Sequence, residues 1–193
     1  MVLVLIGCYL LGSVPFGVYA GRVIAGVDVR RFGSGNTGAT NVMRVLGAKP
    51  AILVLLLDVV KGAGAVVIGR VILGGEVLPL ACGLVAVAGH NWSPFLRFQG
   101  GKGVAATLGV VLAGHPIIAL TLFGLFAAIV ATTRYVSLGS IVSALLIPVS
   151  AWLIGASVNQ VLLYALLAAM AIYRHKANLI RLSQGAENRI GRS

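Results

Sequence analysis

Between Ala51 and Arg70 the chain runs through an apolar segment whose only ionisable residues before its end are Asp58 and Lys61. A helix crosses the hydrocarbon core of a bilayer with about 20 mostly apolar residues, and the rest of the sequence repeats that theme. Candidate spans are Val2–Ile24, Ala51–Arg70, Val77–Gly89, Val104–Ala113, Ile117–Ala131, Val136–Ile154 and Val158–Tyr173. Only 10% of residues are charged, against 59% hydrophobic, with a mean hydropathy of +1.04. A soluble domain carries about 25% charged residues. The expected fold is therefore an all-α integral membrane protein of seven transmembrane helices, a single domain over residues 1–193 with little chain left for a soluble part.

Charge sets the expected topology. A turn at Gly114-His115-Pro116 puts Arg134 and the tail cations Arg174, Lys176, Arg181, Arg189 and Arg192 on the side that holds Arg30, Arg31, Arg44, Lys49, Arg97 and Lys102. Cytoplasmic loops collect Lys and Arg, so the N-terminus is expected outside and the C-terminus in the cytoplasm, with Arg70 outside beside Glu76. The stretch Met1–Leu11 has no basic n-region, and the first cation, Arg22, follows the apolar run, so the first helix reads as retained. Pro15 lies within that span and predicts a kink or break. The net charge of +11 reflects this topology; no basic run is interleaved with aromatics as a nucleic-acid surface requires. Cys8 and Cys82 sit inside apolar runs and read as small core residues.

Two polar, glycine-rich loops interrupt the pattern. The first, Gly33–Arg44, reads GSGNTGATNVMR; the second, Leu96–Ala105, reads LRFQGGKGVA. Glycine frees backbone N–H groups, a helix follows each loop, and each carries a cation, the ingredients of an anion cradle. In the first, Thr40 or Thr37 is the expected N-cap of a short helix, with Asn41 and Arg44 on one face at i, i+3; Ser34, Asn36, Thr40 and Asn41 add polar groups for a ligand. In the second, Gly100, Gly101, Lys102 and Gly103 resemble a phosphate loop without the spacing or Ser/Thr of a Walker A motif, which argues against nucleotide hydrolysis. Asp58 and Lys61, at i, i+3 inside a span, predict a buried ion pair, since lone charges are costly there. His90, where the third span meets the interface, reads either as a ligand contact or as an interfacial residue beside the anchor Trp92. His175 and Asn178 follow the last span at i, i+3, and Glu187 comes later in the tail. No Gly-x-Ser-x-Gly elbow, His-x-x-x-x-Asp pair or Cys/His/carboxylate cluster occurs, so neither a metal nor a cofactor is expected.

Taken together, Gly12–Gly17, the Ser34–Arg44 loop, Asp58-x-x-Lys61-Gly62, Gly89-His90, the Gly100–Ala105 loop and the tail residues His175, Asn178 and Glu187 resemble the bacterial acyl-phosphate:glycerol-3-phosphate acyltransferases, the PlsY family. The resemblance covers almost the whole chain. It implies transfer of a fatty acyl group from acyl-phosphate to the 1-hydroxyl of glycerol 3-phosphate, giving 1-acylglycerol 3-phosphate and phosphate on the cytoplasmic face of a bacterial inner membrane. Ser34, Arg44, Lys102 and His175 would then be catalytic. Asn36, Thr40, Asn41, His90, Gly100, Gly101, Gly103 and Asn178 would bind substrate, and Asp58, Lys61 and Glu187 would be structural. The alternative from a different class is an organic-phosphate or anion transporter, which usually shows internal repeats and midplane sites.

Overall fold

The computed structural model describes residues 1–191, so Arg192 of the basic tail lies outside the described residues. Among them the secondary structure is helical. The α-helices are α1 (Val2–Ser13), α2 (Phe16–Ala25), α3 (Ala39–Leu46), α4 (Ala48–Leu73), α5 (Val77–Asn91), α6 (Val104–Gly114), α7 (Pro116–Thr133), α8 (Val136–Leu153), α9 (Val158–Arg174) and α10 (Lys176–Ser183). Short 3₁₀ turns occupy Val29–Arg31 and Pro94–Leu96. Four stretches are long and apolar enough to cross a membrane: Val2–Ala25, Ala48–Leu73, Pro116–Thr133 and Val136–Leu153. The fold comprises two compact units, Met1–Gly114 and His115–Ser193.

In the first unit the long helix α4 separates its faces by size and charge rather than by polarity. Its buried positions are Ala51, Val54, Asp58, Lys61, Gly62, Ala65, Val66 and Gly69. Its exposed positions include Ile52, Leu56, Val60, Val67 and Val71. Lipid tails attract a leucine as well as another leucine does, so helices in a bilayer associate through close backbone approach and polar contacts. A Cβ on Gly62 would overlap the Ala106 carbonyl of α6, and one on Gly109 of α6 would overlap the Val59 carbonyl of α4. The same reciprocity joins α1 to α5, where Gly12 abuts the Ala86 backbone and Gly89 abuts the Tyr9 carbonyl.

Pro15 breaks the first span as its missing N–H demands, and three contacts secure the freed carbonyls. Ser93 Oγ donates to Ser13 O at 2.7 Å, Lys61 Nζ donates to Val14 O at 3.0 Å, and the Phe16 N–H also donates to Val14 O at 3.2 Å. Nearby, the Tyr9 hydroxyl donates to Trp92 O at 2.5 Å, tying α1 to the end of α5.

The second unit packs α7 on α8 and α8 on α9. Helix α9 opens with a capping box, Ser157 and Gln160 each satisfying the other's backbone N–H. The wholly buried Tyr164 bonds His115 Nδ1 at 2.8 Å. After α10 the chain doubles back to the start of α8: the Ile190 N–H donates to Arg134 O at 2.9 Å, and Arg189 Nε donates to the Tyr135 hydroxyl at 3.0 Å.

The glycine contacts are testable in pairs. Gly62→Ala must push α4 from α6 and should cost about 1–3 kcal/mol, whereas Gly64, whose Cβ would meet nothing within 4 Å, should tolerate alanine or gain from it. Thermal unfolding of both variants in detergent checks this; equal losses would refute the close-approach argument.

Candidate active site

The first glycine loop is built on Asn41. Its side-chain oxygen accepts from the Ser34 N–H at 2.7 Å and from Ser34 Oγ at 3.1 Å. Its amide nitrogen lies 2.8 Å from Val29 O, 3.2 Å from Phe32 O and 2.8 Å from Asn36 O. Asn41 is 1% exposed: the side chain is turned inward and hydrogen-bonds the loop around itself. Gly33 has φ +59, and a Cβ there would overlap Asn41 Oδ1, so glycine is required at this point. The expected N-cap is corrected. Gly38 caps α3, and the Asn36 side chain accepts from the Gly38 N–H at 2.9 Å, while Thr37 is buried and Thr40 falls within the first turn. Asn41 faces inward from α3 while Arg44, one turn on, is exposed with Ser34.

The loop begins at a fixed point. Arg30 grips Asp28 through Nε at 3.0 Å and Nη2 at 2.6 Å, and the Asp28 carboxylate also accepts from the Arg30 N–H at 3.0 Å. The side-chain bonds from Arg30 hold the Asp28 carboxyl down at about 2.

The second loop is held by the end of α5. The Gly100 N–H donates to Asn91 O at 3.1 Å and the Gly101 N–H to His90 O at 3.0 Å. These two amides therefore cap α5. The glycines are there for proximity: a Cβ on Gly100 would overlap His90 O, one on Gly101 would overlap His90 Nε2, and Gly103 has φ +76 with Asn91 Oδ1 beside it. His90, a candidate substrate contact from sequence, is 8% exposed and lies between Asp58 and Gly101.

Behind both loops lies the ion pair expected in α4, with Lys61 Nζ 2.7 Å from Asp58 Oδ1 and both side chains almost wholly buried. Lys61 also rests over the Phe16 ring at 5.4 Å. Removing one partner of such a pair costs about 3–5 kcal/mol, because the other is left charged in low dielectric.

The remaining candidates lie in the second unit. His175, 2% exposed, joins α9 to α10, and its Nδ1 is 2.7 Å from Ala171 O. A carbonyl only accepts, so Nδ1 carries a proton and donates it to Ala171 O. Glu187 gathers Ser137 Oγ at 3.0 Å, Asn178 Nδ2 at 2.7 Å and Arg181 Nε at 2.8 Å. Asn178 thus gives a donor to Glu187. Sequence reasoning missed Ser137 and Arg181; a serine at the start of one helix and an arginine in a basic tail carry no pattern that marks them.

These features define a multi-pass helical membrane protein with two polar, glycine-rich loops. The family model for glycerol-3-phosphate acyltransferase matches residues 2–185. Glycerol-3-phosphate acyltransferase 2 of Moorella thermoacetica is 45% identical, covering 98% of this chain and 97% of its own. The crystal structure of the integral membrane glycerol 3-phosphate acyltransferase PlsY (YgiH) in its glycerol 3-phosphate form superposes with a TM-score of 0.94 at 41% identity, over 98% of this chain and 95% of that one. Its lysophosphatidic acid form gives 0.92 at 40% identity over the same shares. The chain belongs to the glycerol-3-phosphate acyltransferase family, in its PlsY branch, and is an integral membrane enzyme. That membership sets the transporter alternative aside.

Burial pushes the Glu187 carboxyl up, but the bonds from Asn178, Arg181 and Ser137 outweigh it and hold its pKa below the usual glutamate range. Its stabilisation is complete above the pH near 4.3, roughly where an unfolded glutamate titrates, and is lost as pH falls through the lower folded value. Thermal unfolding should therefore show Glu187→Gln less stable than the parent at neutral pH, with the gap closing in acid. A gap that widens in acid would contradict the assignment.

Proposed function

We propose that this glycerol-3-phosphate acyltransferase draws its acyl group from acyl-phosphate and releases 1-acylglycerol 3-phosphate, lysophosphatidic acid, together with inorganic phosphate. The 1-hydroxyl oxygen bonds to the acyl carbon, the bond from that carbon to the phosphate oxygen breaks, and the hydroxyl proton leaves on phosphate. One observation carries the reading: the chain folds like a PlsY structure in its glycerol 3-phosphate form, over nearly its full length. The site chemistry agrees, because the two glycine loops meet, with Thr37 Oγ1 beside Gly101.

In this reading Arg44 and Lys102 neutralise substrate phosphate, and Ser34, oriented by Asn41, donates its hydroxyl. Asn36, Thr40, Gly100, Gly101 and Gly103 shape the two loops around the ligands, and Asn178 contributes to substrate binding. Asp58 with Lys61, and Glu187, brace what lies in front of them. The topology that fits is seven spans in one transmembrane protein, N-terminus outside, C-terminus and active site cytoplasmic. Support comes from the four long apolar stretches, the first broken at Pro15, from the shorter apolar helices α6 and α9, and from the placement of Lys and Arg; α5 would be the seventh span.

The hydroxyl proton passes to a phosphate oxygen of the acyl-phosphate itself, which lies next to the attacked carbonyl and departs with it. Glu187 is committed to its partners and held ionised below the usual range, so it makes a weak base. His175, with Nδ1 donating to Ala171 O, takes part as a hydrogen-bonding residue rather than as the base.

Phosphate release by purified protein, measured with and without glycerol 3-phosphate, tests the reaction. Release should require both substrates. Arg44→Ala or Lys102→Ala should lower turnover about tenfold to a hundredfold, as expected for losing a charge-assisted bond worth about 1.5–3 kcal/mol. Near-normal turnover in folded variants would remove the two cations from the mechanism.

His175→Gln separates substrate assistance from a protein base. Glutamine preserves a hydrogen-bond donor but cannot take up a proton, and general-base catalysis is worth about 10²–10⁴-fold. Activity should stay within about tenfold of the parent; a loss in the general-base range, with substrate binding intact, would make His175 the base.

A further inference from the structure

We propose that His90 is a positioning residue that sets the second glycine loop against the first, with Asp58 orienting its ring. The inference rests on the reaction proposed above, since it concerns how Lys102 is held relative to Ser34 and Arg44.

Three observations carry it. The His90 ring is almost fully buried, with Nδ1 facing Asp58 Oδ1 at 3.6 Å. That distance is too long for a tight hydrogen bond. It still favours the tautomer with the proton on Nδ1, as carboxylates behind histidines do. Asp58 already has a full counter-charge in Lys61 at 2.7 Å, so the ring is not needed to neutralise it. At the other end Nε2 occupies the space a Cβ on Gly101 would take, and Thr37 Oγ1 of the first loop is 2.9 Å from the same point. The ring edge, the first loop and the second loop thus converge on one spot, and a side chain at 101 would separate them.

The backbone strengthens the coupling. His90 O and Asn91 O receive the Gly101 and Gly100 amides, so the residue whose ring touches the second loop also holds that loop's backbone. A small cavity of about 10 Å³, lined by Thr37, Asp58, His90 and Ser93 among others, lies at the same junction, close to the volume of one water. From Asp58 to Lys102 the chain of contact is therefore short: carboxylate, imidazole, Gly101, and the lysine next to it.

Asparagine can present an amide nitrogen where Nδ1 stands, facing Asp58, but cannot reach Gly101; glutamine can place a polar atom where Nε2 stands. In full-length protein in detergent, His90→Asn should keep the parental Tm within a few degrees. Its kcat, with both substrates saturating, should fall at least tenfold, and neither KM should change as much. His90→Gln should recover most of that loss. Independently of activity, amide exchange at Gly100–Gly103 should be at least tenfold faster in His90→Asn than in the parent. A kcat within about twofold of the parent, or a glutamine variant no better than asparagine with Tm and activity falling together, would overturn the proposal. If His90→Asn does not fold, Gly101→Ala carries the test: a lower kcat at parental Tm supports it, and an unchanged kcat overturns it. Should the parent itself release no phosphate from acyl-phosphate, the reaction fails while the exchange measurement still decides whether His90 holds the loop.

Discussion

The buried Asp58–Lys61 pair is the constraint on which the first unit depends. A carboxylate and an ammonium inside an apolar span are tolerated only when each finds partners, and the search for partners dictates the surroundings. Lys61 reaches Val14 O at the Pro15 break, which gives that break a fixed position. Asp58 faces the histidine at the end of α5. A single turn of α4 thus ties together the first span, the fifth helix and, through His90, the second loop. The small residues follow from the same need. Helices must approach closely enough for these short reaches to work, and Gly62, Gly109, Gly12 and Gly89 make that possible.

The loops show two different uses of glycine. In the first loop glycine relieves the backbone where Asn41 draws several carbonyls and the Ser34 amide around itself. In the second, glycine lets a loop lie directly on the end of a helix whose last carbonyls it caps. Neither loop leaves all its amides pointing at solvent, as a generic anion nest would. In the proposed mechanism the electrostatic work on phosphate falls to Arg44 and Lys102, carried on this hydrogen-bonded framework.

Much of this was legible in the sequence. Hydropathy located the apolar helices because backbone satisfaction in lipid leaves so few alternatives, and Pro15 announced the break in the first span. The i, i+3 spacing of Asp58 and Lys61 announced their pair. What escaped was side-chain direction. Asn41 and His90 sit in polar loops or at a helix end, where a sequence suggests exposure, yet both face inward because neighbouring carbonyls and a carboxylate compete for them. Thr37 and Thr40 are good N-cap residues, but Gly38 takes the position because the Asn36 side chain already organises the turn before it. The full set around Glu187 was hidden because Ser137 comes from a helix fifty positions away in the chain.

The tail illustrates why a carboxylate in a basic segment need not be a catalyst. Glu187 accepts from a serine, an asparagine and an arginine on different elements, and each of those bonds favours the ionised form. A base must be poised to take a proton at working pH; a carboxylate whose environment holds it ionised is suited to another task. That task is geometric. By accepting from the Asn178 amide, Glu187 fixes which end of that side chain is left to accept, and by holding Ser137 it joins the tail to α8. His175 follows the same logic from the other side: its Nδ1 proton is committed to Ala171 O, so the ring is oriented before any substrate arrives. In the proposed mechanism, fixed hydrogen-bonding groups and cations stand in for a local acid–base pair, around a substrate whose leaving phosphate carries the proton away.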